Sequence, residues 1–249
     1  MTATDGYPRF YCPHLAVGRV DLPDGEAHHG LHVLRLRPGD EVELFDGAGA
    51  VATACVVDPG RKTVTCEAGE VGRGQPPRPT VRMLFAVPKG KRLDWLLEKC
   101  TELAAGLLQP VVFERSGAGG SDLSVSKRER WLGRCIAAAK QSGLNHLPEI
   151  GHPLAFDAML ADVAAGREDC GAMLLGDVGP GAHRLAATGE TFGAAETVTV
   201  LVGPEGGLTG QERDGAVEAG FLPVRLGETV LRVETSAVAM LAGVRAMTG

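Results

Sequence analysis

In the amino-terminal part of the chain, apolar and polar residues alternate over short runs. The runs Glu41–Phe45, Val51–Val57 and Thr63–Cys66 are separated by the turn sequences Asp46–Gly49 and Asp58–Gly60. Period-two alternation bounded by Asp, Pro and Gly is typical of short β-strands joined by turns. We therefore predict a small β-barrel in this part of the chain.

Beyond this part, strand-like and helix-like patterns follow one another in turn. Buried strands are predicted at Val81–Val87, Gln109–Phe113, Ala172–Leu175, Thr197–Val202 and Phe221–Leu226. Apolar residues at helical spacing predict helices over Leu93–Leu107, Trp131–Ser142, Phe156–Val163 and Glu234–Met247. Ser126 with Glu129, and Thr209 with Glu212, fit capping boxes. This alternation is typical of an α/β fold whose mostly parallel sheet is covered on both faces.

A glycine- and proline-rich stretch, Gly72–Thr80, separates the two patterns. Such a stretch cannot continue a helix or a central strand, and we interpret it as a linker. The sequence therefore predicts two domains, residues 1–74 and residues 75–249.

The chain has 249 residues, of which 44% are hydrophobic, and a net charge of −6. No apolar run approaches the ~20 residues that a membrane helix needs. The amino terminus shows no basic region followed by an apolar one, as a secretory signal would. We therefore expect a cytoplasmic protein that does not contact membranes. Because the chain is acidic, any contact with RNA must come from a local basic patch.

The pattern of potential ligands argues against a metal site. The six cysteines are scattered along the chain without a C-x-x-C pair, so we expect reduced thiols and neither zinc nor disulfides. His28, His29 and His32 lack carboxylate or cysteine partners at a ligand spacing. We expect no metal.

Two glycine-bearing segments near the carboxyl end are the strongest local signals. The first glycine loop lies within Leu201–Thr209 and the second within Leu226–Ser236. Each follows a predicted strand and leads into a predicted helix, and open α/β sheets bind ligands at the carboxyl ends of their strands. Neither segment has the spacing of a phosphate-binding P-loop or of a dinucleotide-binding loop.

The two loops together resemble the knotted methyltransferases that bind S-adenosylmethionine, in particular the ribosomal RNA small subunit methyltransferase E family. Lys91–Leu103, Glu114–Ser116 and Arg130–Ser142 also look like motifs of this family, and His28–Arg35 resembles its amino-terminal RNA-binding domain. The resemblance implies a PUA-like β-barrel followed by a SPOUT methyltransferase domain with a deep trefoil knot. It also implies a homodimer, for which Val238, Leu241, Ala242 and Arg245 of the last helix would supply contact surface.

The resemblance further implies which residues bind the ligands. The cofactor would contact Leu175, Leu201, Val202, Gly203, Pro204, Gly206, Leu226, Gly227, Val230, Leu231 and Arg232. RNA would contact Arg9, Arg35, Lys89, Lys91 and Arg92. Three cations beside a helix start, as at Lys89–Arg92, suit a docking phosphate.

The implied reaction transfers a methyl group to N3 of a specific uridine in 16S ribosomal RNA of the small subunit. Uridine N3 carries a proton, so the reaction needs a base or a cation that stabilises the developing anion. Arg232 would stabilise the anion, and either Glu234 or Glu205 would accept the proton; the sequence leaves that choice open.

The chain departs from the family pattern at two positions. Leu144 stands where arginine is usual, and Ala104 stands where glycine is usual. Leu144 supports one alternative, a non-catalytic RNA-binding or ribosome-assembly protein that has kept the methyltransferase fold. A second alternative is a nucleotide-dependent oxidoreductase, which the missing G-x-G-x-x-G pattern weakens.

Overall fold

The computed structural model describes residues 6–116, 123–166, 169–193 and 195–248. The chain divides into two compact units. The first comprises Met1–Pro76 together with Ile136–Leu147, and the second comprises Pro77–Cys135 together with Pro148–Gly249.

The first unit is built on a six-stranded sheet with the strand order β1-β3-β4-β5-β2, in which β6 also pairs with β4. β1 runs parallel to β3, whereas the other pairs are antiparallel. Its elements are β1 (Arg9–Tyr11), β2 (Gly18–Asp21), α1 (Asp24–His29), a π-helical turn (Gly30–Leu34), β3 (Glu41–Phe45), β4 (Ala50–Pro59), β5 (Val64–Ala68) and β6 (Gly72–Arg73).

One apolar core fills the first unit. Phe10 of the edge strand β1, Val42 of β3, Val56 of β4 and Cys66 of β5 are fully buried in it, and Val20 of the opposite edge strand β2 packs against it. The alternation in the sequence therefore sends one side of every long strand into a single core, as expected for half-buried strands.

Two cations join Ile136–Leu147 to the rest of the first unit. Arg9 pairs with Glu43 (Nε to Oε1, 3.2 Å) and donates to Asn145 Oδ1 at 2.6 Å and to the Leu144 carbonyl at 3.3 Å. Lys140 pairs with Glu26 (Nζ to Oε2, 2.7 Å). Both pairs are largely buried, so losing one partner would leave a poorly solvated charge.

The second unit is an α/β unit. Its elements are β7 (Thr80–Ala86), α2 (Lys91–Glu102), β8 (Ala105–Val112), α3 (Val125–Ser142, whose end belongs to the first unit), β9 (Glu149–Ile150), β10 (Leu154–Ala155), α4 (Phe156–Ala164), β11 (Ala172–Gly176), β12 (His183–Arg184), a 3-10 turn (Leu185–Ala187), α5 (Gly189–Phe192), β13 (Thr197–Val202), α6 (Gly210–Glu218), β14 (Leu222–Arg225) and α7 (Val233–Thr248).

The sheet of the second unit has the order β10-β8-β7-β13-β11-β14-β12, with β9 also pairing with β8, and every one of these pairs is parallel. The predicted mostly parallel sheet is confirmed. Leu84, Leu175 and Leu201 lie at its centre, in one cluster with Phe156 of α4 and Ala216 of α6. Strands buried on both faces explain the unbroken apolar runs of the sequence.

One predicted cap is confirmed and the other is wrong. Thr209 Oγ1 accepts from the Glu212 amide at 3.1 Å, and Glu212 Oε2 accepts from the Thr209 amide at 2.8 Å, a complete capping box for α6. Ser126 instead lies inside α3, which begins at Val125. Each capping box satisfies two amides that have no partner within the helix.

Among the described residues, no helix is both long enough and apolar enough to cross a membrane. All six cysteines are free thiols, and Cys12, Cys66, Cys100 and Cys135 are buried. Burial raises the pKa of Cys66 and of Cys135 to about 11. Both thiols therefore stay protonated near neutral pH, which makes them poor nucleophiles.

The helix predicted over Leu93–Leu107 ends early, and β8 begins before the predicted strand. α2 stops at Glu102 because Ala104 adopts a left-handed backbone conformation with φ of 59°. Arg245 of α7 fixes this turn by donating to the carbonyls of Leu103, Ala104 and Pro79 at 3.1, 2.5 and 2.7 Å. Helix ends need such donors for their last carbonyls.

Ala104→Gly should stabilise the protein by about 1 kcal/mol, because glycine adopts the left-handed conformation without the penalty that a Cβ imposes. Urea unfolding followed by circular dichroism measures the change. Ala165→Gly is the control: Ala165 has φ of −78° at the end of α4, so glycine there should destabilise. A destabilised Ala104→Gly variant would contradict the prediction.

Candidate functional site

An open cleft of about 290 Å³ lies entirely within the second unit, at the carboxyl ends of three adjacent parallel strands. β11 pairs with β13 on one side and with β14 on the other, so the loops that follow these strands meet at one edge of the sheet. The lining consists of Gly176, Asp177, Val178, Gly179, Val202, Gly203, Pro204, Gly207, Leu208, Arg213, Val224, Arg225, Leu226, Thr229, Val230, Leu231, Val233, Ser236 and Met240.

The first glycine loop makes a tight turn between β13 and α6. The Gly207 amide donates to the Pro204 carbonyl at 2.8 Å, and Gly207 has φ of +70°, which favours glycine. Gly203 faces Leu208 so closely that a Cβ there would lie 2.9 Å from its Cδ1. Arg115 holds the outside of the loop by donating to the Gly206 carbonyl at 3.1 Å.

The second glycine loop presents apolar side chains and backbone groups to the cleft. Leu226 is 39% exposed and Val230 is 78% exposed, which is high for large apolar residues. Within the described residues, none of the backbone amides of 226–231 donates a hydrogen bond. Unpaired amides beside apolar side chains suit a flat heteroaromatic ligand, which needs both packing and hydrogen bonds.

A third segment, the Asp177 loop (Asp177–Pro180), completes the cleft after β11. Asp177 Oδ1 accepts from the Gly179 amide at 2.9 Å, and its Oδ2 accepts from Arg213 Nε at 2.8 Å. Arg213 also donates to the Pro180 carbonyl at 2.9 Å, so this α6 residue closes the loop. The sequence contains a signal for this third segment, because Gly176 and Gly179 come within four residues of the end of the predicted strand Ala172–Leu175.

Comparison with known proteins identifies the family to which a chain with these features belongs. A family model described as an RNA methyltransferase domain matches residues 75–245, and one described as an RNA methyltransferase PUA domain matches residues 22–68. The ribosomal RNA small subunit methyltransferase E of Synechocystis is 32% identical over 92% of this chain and 73% of its own length. The chain belongs to the ribosomal RNA small subunit methyltransferase E family.

Solved structures of this kind match nearly the whole chain. The ribosomal RNA small subunit methyltransferase E of Neisseria gonorrhoeae, bound to S-adenosyl methionine, is 32% identical with a TM-score of 0.83, over 96% of this chain and 97% of that one. A Legionella pneumophila methyltransferase in complex with the same cofactor is 26% identical with a TM-score of 0.84, over the same shares of the two chains.

The cleft brings together about half of the cofactor contacts that the family resemblance implied. Val202, Gly203, Pro204, Leu226, Val230 and Leu231 line it. The other five lie elsewhere. Leu175 and Leu201 are fully buried inside the sheet, Gly206 packs against Arg115, Gly227 faces open space and Arg232 is exposed outside the lining.

The three implied catalytic residues lie in different environments. Arg232 is exposed at the end of the second glycine loop. Glu205 is also exposed and pairs with Arg92 (Oε1 to Nη1, 3.0 Å). Glu234 is only 7% exposed in the first turn of α7, and its Oε2 is buried without a hydrogen-bond partner. Glu205 is therefore the carboxylate that a large substrate can reach.

The residues implied for RNA binding also differ in accessibility. Lys89 and Lys91 are exposed, as is Arg35, which has φ of 57° after the π-helical turn. Arg92 is half-buried in its pair with Glu205. Arg9 is largely buried, and its contacts with Glu43 and Asn145 hold it inside the first unit.

Two residues that family resemblance assigned to a dimer contact are engaged within the chain. Leu241 is fully buried, and Arg245 holds the turn after α2. Val238 and Ala242 are half-buried on α7. Among the residues that the structure describes, no three His, Cys, Asp or Glu side chains form a group that would hold a metal ion.

Arg213→Ala should loosen the Asp177 loop, because it removes a charge-assisted pair and a carbonyl contact. Amide hydrogen exchange at Asp177, Val178 and Gly179 should accelerate by about tenfold, the change expected for losing one charged hydrogen bond. Arg115→Ala is the matched control and should accelerate exchange in the first glycine loop instead. Equal exchange of the Asp177 loop in wild type and Arg213→Ala would show that the loop does not depend on this pair.

Proposed function

We propose that this protein transfers a methyl group from S-adenosylmethionine to N3 of a specific uridine in 16S ribosomal RNA of the small subunit. The observation that carries the proposal is the cleft at the ends of β11, β13 and β14, in a family member whose solved relatives were crystallised with this cofactor. Because ribosomal RNA would be the substrate, we also propose a cytoplasmic location.

The cleft suits the parts of this cofactor. Adenine offers two flat apolar faces and a polar edge, which match Leu226, Val230 and Leu231 together with the unpaired amides of the same loop. The glycines of the first loop let a ligand approach the backbone closely. When bound, S-adenosylmethionine supplies an activated methyl group. The protein therefore has to orient the nucleophile, uridine N3, and remove its proton.

Arg232 and Glu205 are the residues that we propose for that task. As the N3 proton leaves, negative charge develops on the uracil ring, and a nearby guanidinium stabilises it. Arg232 is exposed, and its guanidinium has no hydrogen-bond or ion-pair partner among the described residues. Glu205 is exposed at the first glycine loop. Glu234 is buried in the first turn of α7, where the helix dipole stabilises a negative charge, so its position has a structural explanation.

The remaining parts of the proposal concern the fold and its partners. We propose that the first unit is a closed barrel, which its single core shared by both edge strands supports. We also propose a domain boundary between residues 74 and 75, which rests on the glycine- and proline-rich stretch Gly72–Thr80. A trefoil knot in the second unit and a homodimer are proposed from membership of the family. RNA would contact the exposed cations Arg35, Lys89 and Lys91.

Transfer of a labelled methyl group tests the function. Purified protein, S-adenosylmethionine with a labelled methyl group and unmodified small-subunit RNA should yield labelled 3-methyluridine in digests analysed by mass spectrometry. Assembled small subunits serve as a second substrate in the same assay. RNA binding without any methyl transfer to either substrate would favour the non-catalytic alternative.

Arg232→Ala should lower kcat by about a hundredfold, the effect of removing one preorganised donor from a transition state. Cofactor and RNA affinities should remain nearly unchanged, and Arg232→Lys should recover part of the rate because it restores the charge. Among the carboxylates, Glu205→Gln should lose rate, whereas Glu234→Gln should lose less. A wild-type rate for Arg232→Ala would make this residue structural.

Gly203→Val should weaken binding of S-adenosylhomocysteine by about tenfold or more, because the new side chain displaces Leu208 into the cleft. Isothermal titration calorimetry measures the affinity, and the melting temperature reports folding. Gly210→Ala is the control, since a Cβ at Gly210 meets no atom within 4 Å. Unchanged affinity of a folded Gly203→Val variant would remove the first glycine loop from the binding site.

A further inference from the structure

Three charged side chains line the cleft: Asp177, Arg213 and Arg225. Asp177 and Arg213 neutralise each other through a contact of 2.8 Å. Arg225, at the end of β14, is half-buried, and its side chain forms no ion pair or hydrogen bond with any described residue. The cleft therefore contains one cation whose charge is not balanced within the described chain.

The Arg225 guanidinium has an unsatisfied hydrogen-bond donor. Its Nε is buried with no acceptor, and a buried donor without an acceptor is costly. A guanidinium offers several donors in a fixed plane, an arrangement that matches the two oxygens of a carboxylate or the oxygens of a phosphate. An anion bound in the cleft would satisfy this group.

The neighbouring strand adds to the positive charge. Arg184 of β12 lies opposite Arg225 in the parallel register, so the two residues share a face of the sheet. Like charges at such positions repel each other, and Arg184 relieves the repulsion by extending into solvent, where it is exposed. Arg225 lines the cleft, and no acidic residue of the described lining is left to balance it.

We propose that Arg225 binds the carboxylate of the methionine part of S-adenosylmethionine. This inference rests on the proposed function and names the residue that recognises one end of the cofactor. The adenosine part of that cofactor is uncharged and its sulfonium is positive, so the carboxylate is its only anionic group.

Ligands with and without the carboxylate test the contact. Isothermal titration calorimetry compares S-adenosylhomocysteine with 5′-methylthioadenosine, which lacks the whole amino-acid part. Arg225→Met keeps a flexible, unbranched side chain without the charge and should weaken S-adenosylhomocysteine binding by about tenfold to a hundredfold, the range for losing a charged hydrogen bond. Its affinity for 5′-methylthioadenosine should match that of wild type. Arg225→Lys should recover part of the loss.

Arg184→Ala is the matched control, because it removes the adjacent exposed charge and should leave both affinities within about twofold of wild type. Equal weakening of both ligands by Arg225→Met would overturn the inference, as would equal losses for Arg184→Ala and Arg225→Met. Unchanged S-adenosylhomocysteine binding with salt-dependent loss of RNA binding would overturn it too, and would assign Arg225 to an RNA phosphate. Failure of wild type to bind S-adenosylhomocysteine would instead overturn the proposed function.

Discussion

The placement of β11 between β13 and β14, with all three strands parallel, is the constraint on which the site depends. These strands are far apart in sequence, yet hydrogen bonding in one register brings their carboxyl ends to a common edge. Each strand then contributes a short loop whose glycines allow close packing. The capping box of Thr209 and the Arg213–Asp177 pair fix the loops, so the cleft needs no long insertion to form.

The parts of this arrangement that depend on local physics could be predicted from the sequence. Apolar runs marked the strands, and Thr209 with Glu212 marked the start of α6, because a capping box is satisfied within four residues. Strand order is not a local property. The sequence therefore did not reveal that β11 lies between the strands of the two glycine loops, and the Asp177 loop went unrecognised as the third wall of the cleft.

Single residues also show that local features can be predicted from the sequence, whereas features set by distant contacts cannot. Leu93–Leu107 reads as one continuous helix, yet α2 ends at Glu102 because Arg245, far along the chain, binds the carbonyls of the turn at Ala104. Arg9 reads as a surface cation, but Glu43 and Asn145 surround it in the folded first unit. At Leu144 the backbone carbonyl, not the side chain, makes the contact with Arg9, so this contact does not need the family's usual arginine.

The separation of Ile136–Leu147 from the rest of the first unit has a consequence for the order of folding. The chain passes between the two units three times, at 76/77, 135/136 and 147/148. During synthesis, Glu26 and Arg9 leave the ribosome long before their partners Lys140 and Asn145. Contacts of such large sequence separation form slowly. The amino-terminal unit, although made first, is thus completed only after all of α2, β8 and α3 has been translated. A fragment cut at the linker would leave the buried Glu26 carboxylate without Lys140 and would leave Arg9 without its contact to Asn145.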